Sequence, residues 1–143
     1  MIVKIAELKR YAAKGSGPEV LQEAKLLAGR GIEGDRHKNP NRQVSILTKQ
    51  ARLWMNQQKE KGLCFERVKE NILLNGLCPS GSRLSFGDAI LQLRPERKHC
   101  LPACIHREKA ALCPLMEGMF FADVLEGGAV SVGESGTVEA RFP

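Results

Sequence analysis

The chain has 143 residues, 43% of them hydrophobic and 27% charged, with a formal net charge of +6. That length buries a core as one unit, 1–143, without disulfide staples, and no apolar run reaches the ~18 residues of a membrane-spanning helix. The surplus of Lys and Arg raises a nucleic-acid reading, but stacking aromatics are only 5%, the charges are dispersed, and no zinc-finger, RNP or helix-turn-helix spacing is present. A basic pocket for a small anionic ligand explains the charge equally well, and nucleic acid is the lesser alternative.

Ile2-Val-Lys-Ile-Ala alternates as an opening strand. Charges interrupt the first ten positions, so they do not form a signal peptide, and the cytoplasm is the expected compartment. Gly15-Ser-Gly-Pro18 marks a loop. Residues 19–28 read as a short helix rich in Leu, Ala, Glu and Lys, while Val20-Leu21 and Leu26-Leu27 keep a strand open. Residues 29–41 combine three glycines, a proline and many charges in a long loop, a kind of segment that is usually functional in a compact domain. A strand is expected over 42–48, a helix over 49–61 with Gly62 as its stop, and a strand over 69–76 ending in the Asn75-Gly76 turn. Turns follow at 79–81 and at the start of 84–93, which continues as a strand. The tail repeats the pattern with strands at 120–125, 129–134 and 136–140 around Gly127-Gly128. Short strands divided by glycine turns, with few helices, predict a mainly β fold, either a barrel or a sandwich.

Two segments carry candidate chemistry. Cys100-Leu-Pro-Ala-Cys104 and Cys113-Pro follow the run Glu96-Arg97-Lys98-His99, and neighbouring positive charge stabilises a thiolate. The thiolate attacks sulfur and binds metals, so a nucleophile carrying a persulfide is one reading. A zinc site built from Cys100, Cys104, Cys113 and His99 or His106 is a second, and inert structural thiols are a third; spacing alone leaves the three open. The remaining two of the five cysteines, Cys64 and Cys78, stand among apolar neighbours and read as small buried residues.

The other segment is Gly31-Ile-Glu-Gly-Asp35-Arg36-His37. Its glycines allow close approach of a ligand, Asp35 accepts hydrogen bonds from a heterocycle, and the guanidinium forks of Arg36 and Arg42 suit phosphate. A solvated turn capped by its own Asp is the plainer alternative. Asn71 offers both a donor and an acceptor at the start of a strand, although turn-forming Asn is as common. For His37, His99 and His106 an exposed, non-catalytic position is the ordinary fate.

Taken in order, Gly31-Ile-Glu-Gly-Asp-Arg-His37, Arg42-Gln-Val-Ser-Ile-Leu47, Glu70-Asn71-Ile-Leu, Gly87-Asp88-Ala-Ile-Leu, the Cys100 segment and Phe121-Ala-Asp-Val-Leu-Glu-Gly-Gly128 resemble the MOSC domain, the molybdenum-cofactor sulfurase C-terminal domain. The small stand-alone bacterial type is the nearest in look. The resemblance implies a MOSC-type β-barrel with a few short helices and a role in molybdenum-cofactor sulfur chemistry. It implies that Asp35, Arg36, His37, Arg42, Gln43, Asn71 and Arg97 hold a molybdopterin-type cofactor. The family's defining cysteine corresponds to Cys100, which carries a persulfide or ligates molybdenum. The sequence departs from the common Arg-x-Pro-Cys pattern, having Arg97-Lys-His-Cys100, so Cys104 competes as the reactive thiol and Cys113 as a resolving or metal-binding one.

The expected activity is therefore that of a sulfur carrier or transferase. A pyridoxal-phosphate cysteine desulfurase would be the donor, and a molybdenum enzyme or cofactor-synthesis protein the acceptor, with no nucleic-acid or membrane partner. The alternatives are a non-catalytic cofactor-binding module and a zinc-stabilised interaction domain. A molybdenum reductase is a further reading, for which the chain offers no electron-transfer module.

Overall fold

The structure is a computed structural model and describes residues 2–13, 15–36, 40, 42–58, 68–76, 78–95 and 118–140. The expected opening strand runs further than its alternation suggests, as β1 (Ile2–Arg10). A register shift against its neighbour between Ile5 and Glu7 breaks the period of two. Val3 and Ile5 face inward before it and Leu8 after it, as a β-bulge produces. Residues 19–28 take the strand alternative rather than the helix, as β2 (Glu19–Leu21) and β3 (Glu23–Leu27). In β3, Ala24 and Leu26 are buried while Glu23 and Lys25 are exposed, a period-2 pattern that a helix cannot sort onto one face. The long loop contains the two-residue strand β4 (Gly31–Ile32).

The next elements are β5 (Val44–Thr48), helix α1 (Lys49–Gln57) and β6 (Ile72–Asn75). Strands β5 and β6 pair in parallel, so the chain must cross between them, and α1 lies on that crossover. All five residues of β5 are buried because both its faces are covered. Val44 and Ile46 join the barrel core, whereas Leu47 packs with Ala51 and Met55 of the helix. Residues 84–93, expected as a turn and one strand, are a complete hairpin of β7 (Arg83–Phe86) and β8 (Ala89–Leu93). The chain ends in β9 (Met119–Glu126), β10 (Gly128–Ser131) and β11 (Ser135–Glu139).

Hydrogen bonding connects β1, β11, β7, β8, β9, β5 and β6 and returns to β1, closing a seven-strand mixed barrel, with β2 attached to β1. The expected β-barrel is thus present, with one α-helix among the described elements. Closure leaves no open edge in the ring. A smaller sheet in the order β10-β3-β4 packs on the barrel, since Val130, Ala24, Leu26 and Ile32 share one buried cluster with Leu74, Leu84, Phe86 and Phe120. At the closing seam Gly136 leaves room for the fully buried ring of Phe86, which a Cβ there would overlap.

Candidate functional site

The segment Gly31 to Arg36 leaves β4 and is held against the end of β1 by three backbone-directed hydrogen bonds. The Tyr11 N–H donates to Asp35 Oδ1 at 2.8 Å, the Arg36 N–H donates to the Tyr11 carbonyl at 2.8 Å, and Arg10 Nη1 donates to the Glu33 carbonyl at 3.2 Å. Arg10 also holds Glu19 of β2 with Nε and Nη2, at 2.7 and 3.0 Å. That hydrogen bond and charge lower the Glu19 carboxyl below its ordinary range. Glycine is required at position 31, where φ is +122° and a Cβ would overlap the Gln43 carbonyl; this close approach seats the loop on the start of β5.

Asn71 ties the loop to the barrel. Its Nδ2 donates to Asp35 Oδ1 and to the Lys9 carbonyl, both at 3.1 Å, and its Oδ1 accepts the Ser45 N–H at 3.0 Å. Gln43 works similarly, accepting the Val124 N–H at 2.9 Å and donating to the Pro40 carbonyl at 3.0 Å. The described hydrogen bonds of Asn71 and Gln43 therefore run to protein groups, and both side chains are buried. Arg36 differs: its Nε is buried and has no hydrogen-bond partner among the described residues. Arg42 is exposed and places its guanidinium 5.0 Å from the centre of the Phe121 ring, a cation–π contact that leaves the ion at the surface.

The loop also meets the root of the thiol segment. Arg94, directly after β8, pairs through Nε with Asp123 at 2.9 Å, and its Nη2 reaches the Pro40 carbonyl at 3.5 Å. Pro40 thus accepts from both Gln43 and Arg94. His37, Arg97, Cys100, Cys104 and Cys113, with His99, His106 and Cys64, lie outside the described residues. Cys78 is buried in the barrel core, where burial raises its thiol to about 11, in keeping with the inert role expected for it. Among the described residues no group of three or more His, Cys, Asp or Glu is arranged to hold a metal ion, and no helix is long and apolar enough to cross a membrane.

Lys9, Arg10, Tyr11, Arg52, Glu70 and Arg94 were not among the site residues expected from the sequence. Glu70 is 1% exposed, and its carboxylate takes Lys9 Nζ at 3.0 Å on one oxygen and Arg52 Nη2 on the other. Lys69 lies over the ring of Tyr11, 6.0 Å from its centre. The phenol of Tyr11 is pushed up to about 12, first by burial and then by the Glu70 charge. The adjacency of Glu70 to Asn71 was the available signal, since a lone carboxylate before an apolar strand requires partners if it is buried.

The sequence profile of the MOSC domain matches residues 33–139. The chain belongs to the MOSC family. This family is associated with molybdenum-cofactor-related function. Solved structures share its fold. The YUAD protein from Bacillus subtilis is 19% identical with a TM-score of 0.68, over 99% of this chain and 98% of that one. YiiM from Geobacillus stearothermophilus is 15% identical with a TM-score of 0.62, over 97% of this chain and 76% of that one. YiiM from Escherichia coli is 20% identical with a TM-score of 0.57, over 98% and 69%. No curated protein matches the sequence. The MOSC match begins within the loop, at Glu33, and so includes Asp35, Arg36, Asn71 and the cysteine segment.

Proposed function

We propose that this MOSC protein is a sulfur carrier of molybdenum-cofactor metabolism, with Cys100 as the thiol that receives sulfur. The observation that carries the reading is the junction at the Pro40 carbonyl, where the loop bearing Arg36 meets Arg94 at the root of the cysteine segment. Arg94 lies six residues before Cys100 in the sequence, which supports reading the anion-suited loop and the sulfur-suited segment as parts of one site.

The described residues fit an anionic pterin cofactor. A buried guanidinium Nε without an acceptor carries a desolvation cost that an oxyanion relieves. Arg36 would hold the phosphate, with exposed Arg42 as a second cation from the same loop region, while Asp35, Gln43 and Asn71 keep the loop in register. His37 and Arg97 complete the proposed set. When bound, the cofactor supplies a metal centre that takes up sulfur, with Cys100, or less directly Cys113, available as a ligand.

The Cys100 thiolate attacks the outer sulfur of a persulfide on a pyridoxal-phosphate cysteine desulfurase. A new S–S bond forms, the donor's S–S bond breaks, and the donor cysteine leaves as thiolate, so the transfer is redox-neutral. Attack by the Cys104 thiol on the inner sulfur then releases hydrosulfide and leaves a Cys100–Cys104 disulfide, its two electrons coming from the thiols. A dithiol reductant restores the pair. The acceptor is a molybdenum enzyme or a cofactor-synthesis protein.

Intact-protein mass spectrometry after incubation with a cysteine desulfurase and cysteine tests this. The expected result is a reducible gain of one sulfur atom that persists in Cys104→Ser and in Cys104→Ser/Cys113→Ser, is absent in Cys100→Ser, and gives way in the wild type to a disulfide and released hydrosulfide. No gain, with molybdenum and pterin in the native protein, would make it a binding module whose thiols are ligands. Stoichiometric zinc with unfolding on chelation would make it a zinc-stabilised interaction domain.

A further inference from the structure

We infer that Glu70 and Arg52 are positioning residues for the Arg36 loop, so that the seating of helix α1 sets the geometry of the anion site. The inference rests on the reading of Arg36 as an anion contact. Glu70 is almost fully buried and accepts from Lys9 on β1 and from Arg52 on α1. A carboxylate so deeply buried depends on its partners, because removing one leaves buried charge less well compensated. The next residue is Asn71, whose main chain is fixed on both sides: its N–H donates to the Ser45 carbonyl at 2.8 Å and its carbonyl accepts the Lys9 N–H at 2.8 Å. Lys9 is thus gripped three times by the Glu70-Asn71 pair, through its side chain, its N–H and its carbonyl.

From Asn71 the chain of contacts is short. Its Nδ2 meets Asp35 Oδ1, the same oxygen that accepts the Tyr11 N–H, and the Tyr11 carbonyl accepts the N–H of Arg36. The path from helix to guanidinium is therefore Arg52, Glu70, Asn71, Asp35 and Arg36, with Tyr11 bridging the last two. Both Glu70 oxygens are occupied, one by Lys9 and one by Arg52.

Amide hydrogen exchange on Arg52→Met tests the coupling. Glu70 keeps Lys9 in this variant, and the Met side chain keeps the packing of the Arg stem. The Tyr11 and Arg36 amides are expected to exchange about tenfold faster, while Leu84 on β7 and Leu91 on β8, the strands furthest round the ring from β6, keep their wild-type rates, because a local opening is separable from global unfolding. Arg52→Lys, which restores a cation, returns both amides toward wild type. Inorganic phosphate, titrated as the probe, binds Arg52→Met several-fold more weakly. Unchanged Tyr11 and Arg36 amides, or an equal acceleration at all four, would overturn the inference. Because exchange is read without ligand, a wild-type protein that fails to bind phosphate would count against the anion site and leave the coupling decided separately.

Discussion

Three side-chain hydrogen bonds meet on the carboxamide of Asn71, to Lys9, Ser45 and Asp35. Truncation to Ala would strand the Ser45 N–H and the Lys9 carbonyl in a buried place, each costing ~1–3 kcal/mol. Asn71→Ala should therefore lower the unfolding free energy by about 3 kcal/mol, read as a reduced midpoint in urea with an unchanged slope. Tyr11 gives a second test. Its folded value near 12 lies above the ordinary 10.0, so the unfolded chain releases the proton first and the folded chain binds more protons between those values. The contribution is whole below about pH 10 and is lost as pH rises through about 12. The chain has a single tyrosine, so phenolate absorbance should titrate near the upper value in the folded protein and near the lower one in denaturant. A native midpoint at the ordinary value would refute the burial argument. At this scale the sequence named Asp35, Arg36 and Asn71 as a set, but not their division of labour. Donor and acceptor counts are the same whether an amide serves a ligand or the backbone; only the 36-residue separation between Asp35 and Asn71, closed by folding, decides it.

Among the elements, α1 begins where Thr48 turns from β5 into the helix, its side chain accepting the Ala51 N–H at 3.2 Å. Thr48→Ala removes this cap and should cost about 1 kcal/mol in thermal or urea unfolding, with Thr48→Ser retaining most of it. An equal loss in both variants would assign the effect to the methyl group instead. Strands with clean alternation, such as β8 with Ala89, Leu91 and Leu93 inward, are legible from the order of apolar and polar residues alone. The harder cases share a physical cause. In β1 the bulge shifts the inward set by one residue, hiding the stretch that carries Lys9 and Arg10. In residues 19–28, good helix formers such as Ala24, Lys25 and Leu26 are drawn into a strand because β10 pairs with them and the core accepts their alternate side chains. Tertiary pairing outweighs a propensity worth only tenths of a kcal/mol per residue. The α1 stop was expected after Lys61, whereas Gln58 is already extended.

For the whole molecule, the barrel is a scaffold that joins charged side chains from separate segments of the chain. Lys9, Arg10, Arg36, Arg42, Arg52 and Lys69 all come from β1, from the loop after β4, from α1 or from the stretch before β6. Lys9 and Arg52 meet Glu70, and Arg10 meets Glu19, so part of the net charge of +6 is opposed by carboxylates on the spot. The parallel β5–β6 pair is the topological reason, since its crossover carries α1 to the side where Glu70 and Asn71 enter the sheet.

The closing seam pairs Ile2 with Thr137 and Val3 with Gly136, joining the two most distant strands of the chain. Such a contact forms late, because a very long segment must be brought end to end before it yields any reward. During synthesis β1 has no permanent partner on that side until β11 emerges from the ribosome. A product stalled before Ser135 would present β1 and β7 as two bare strand edges, ready to pair with other copies of itself. The same closure that frees the mature ring of edges makes the unfinished chain a candidate for chaperone capture.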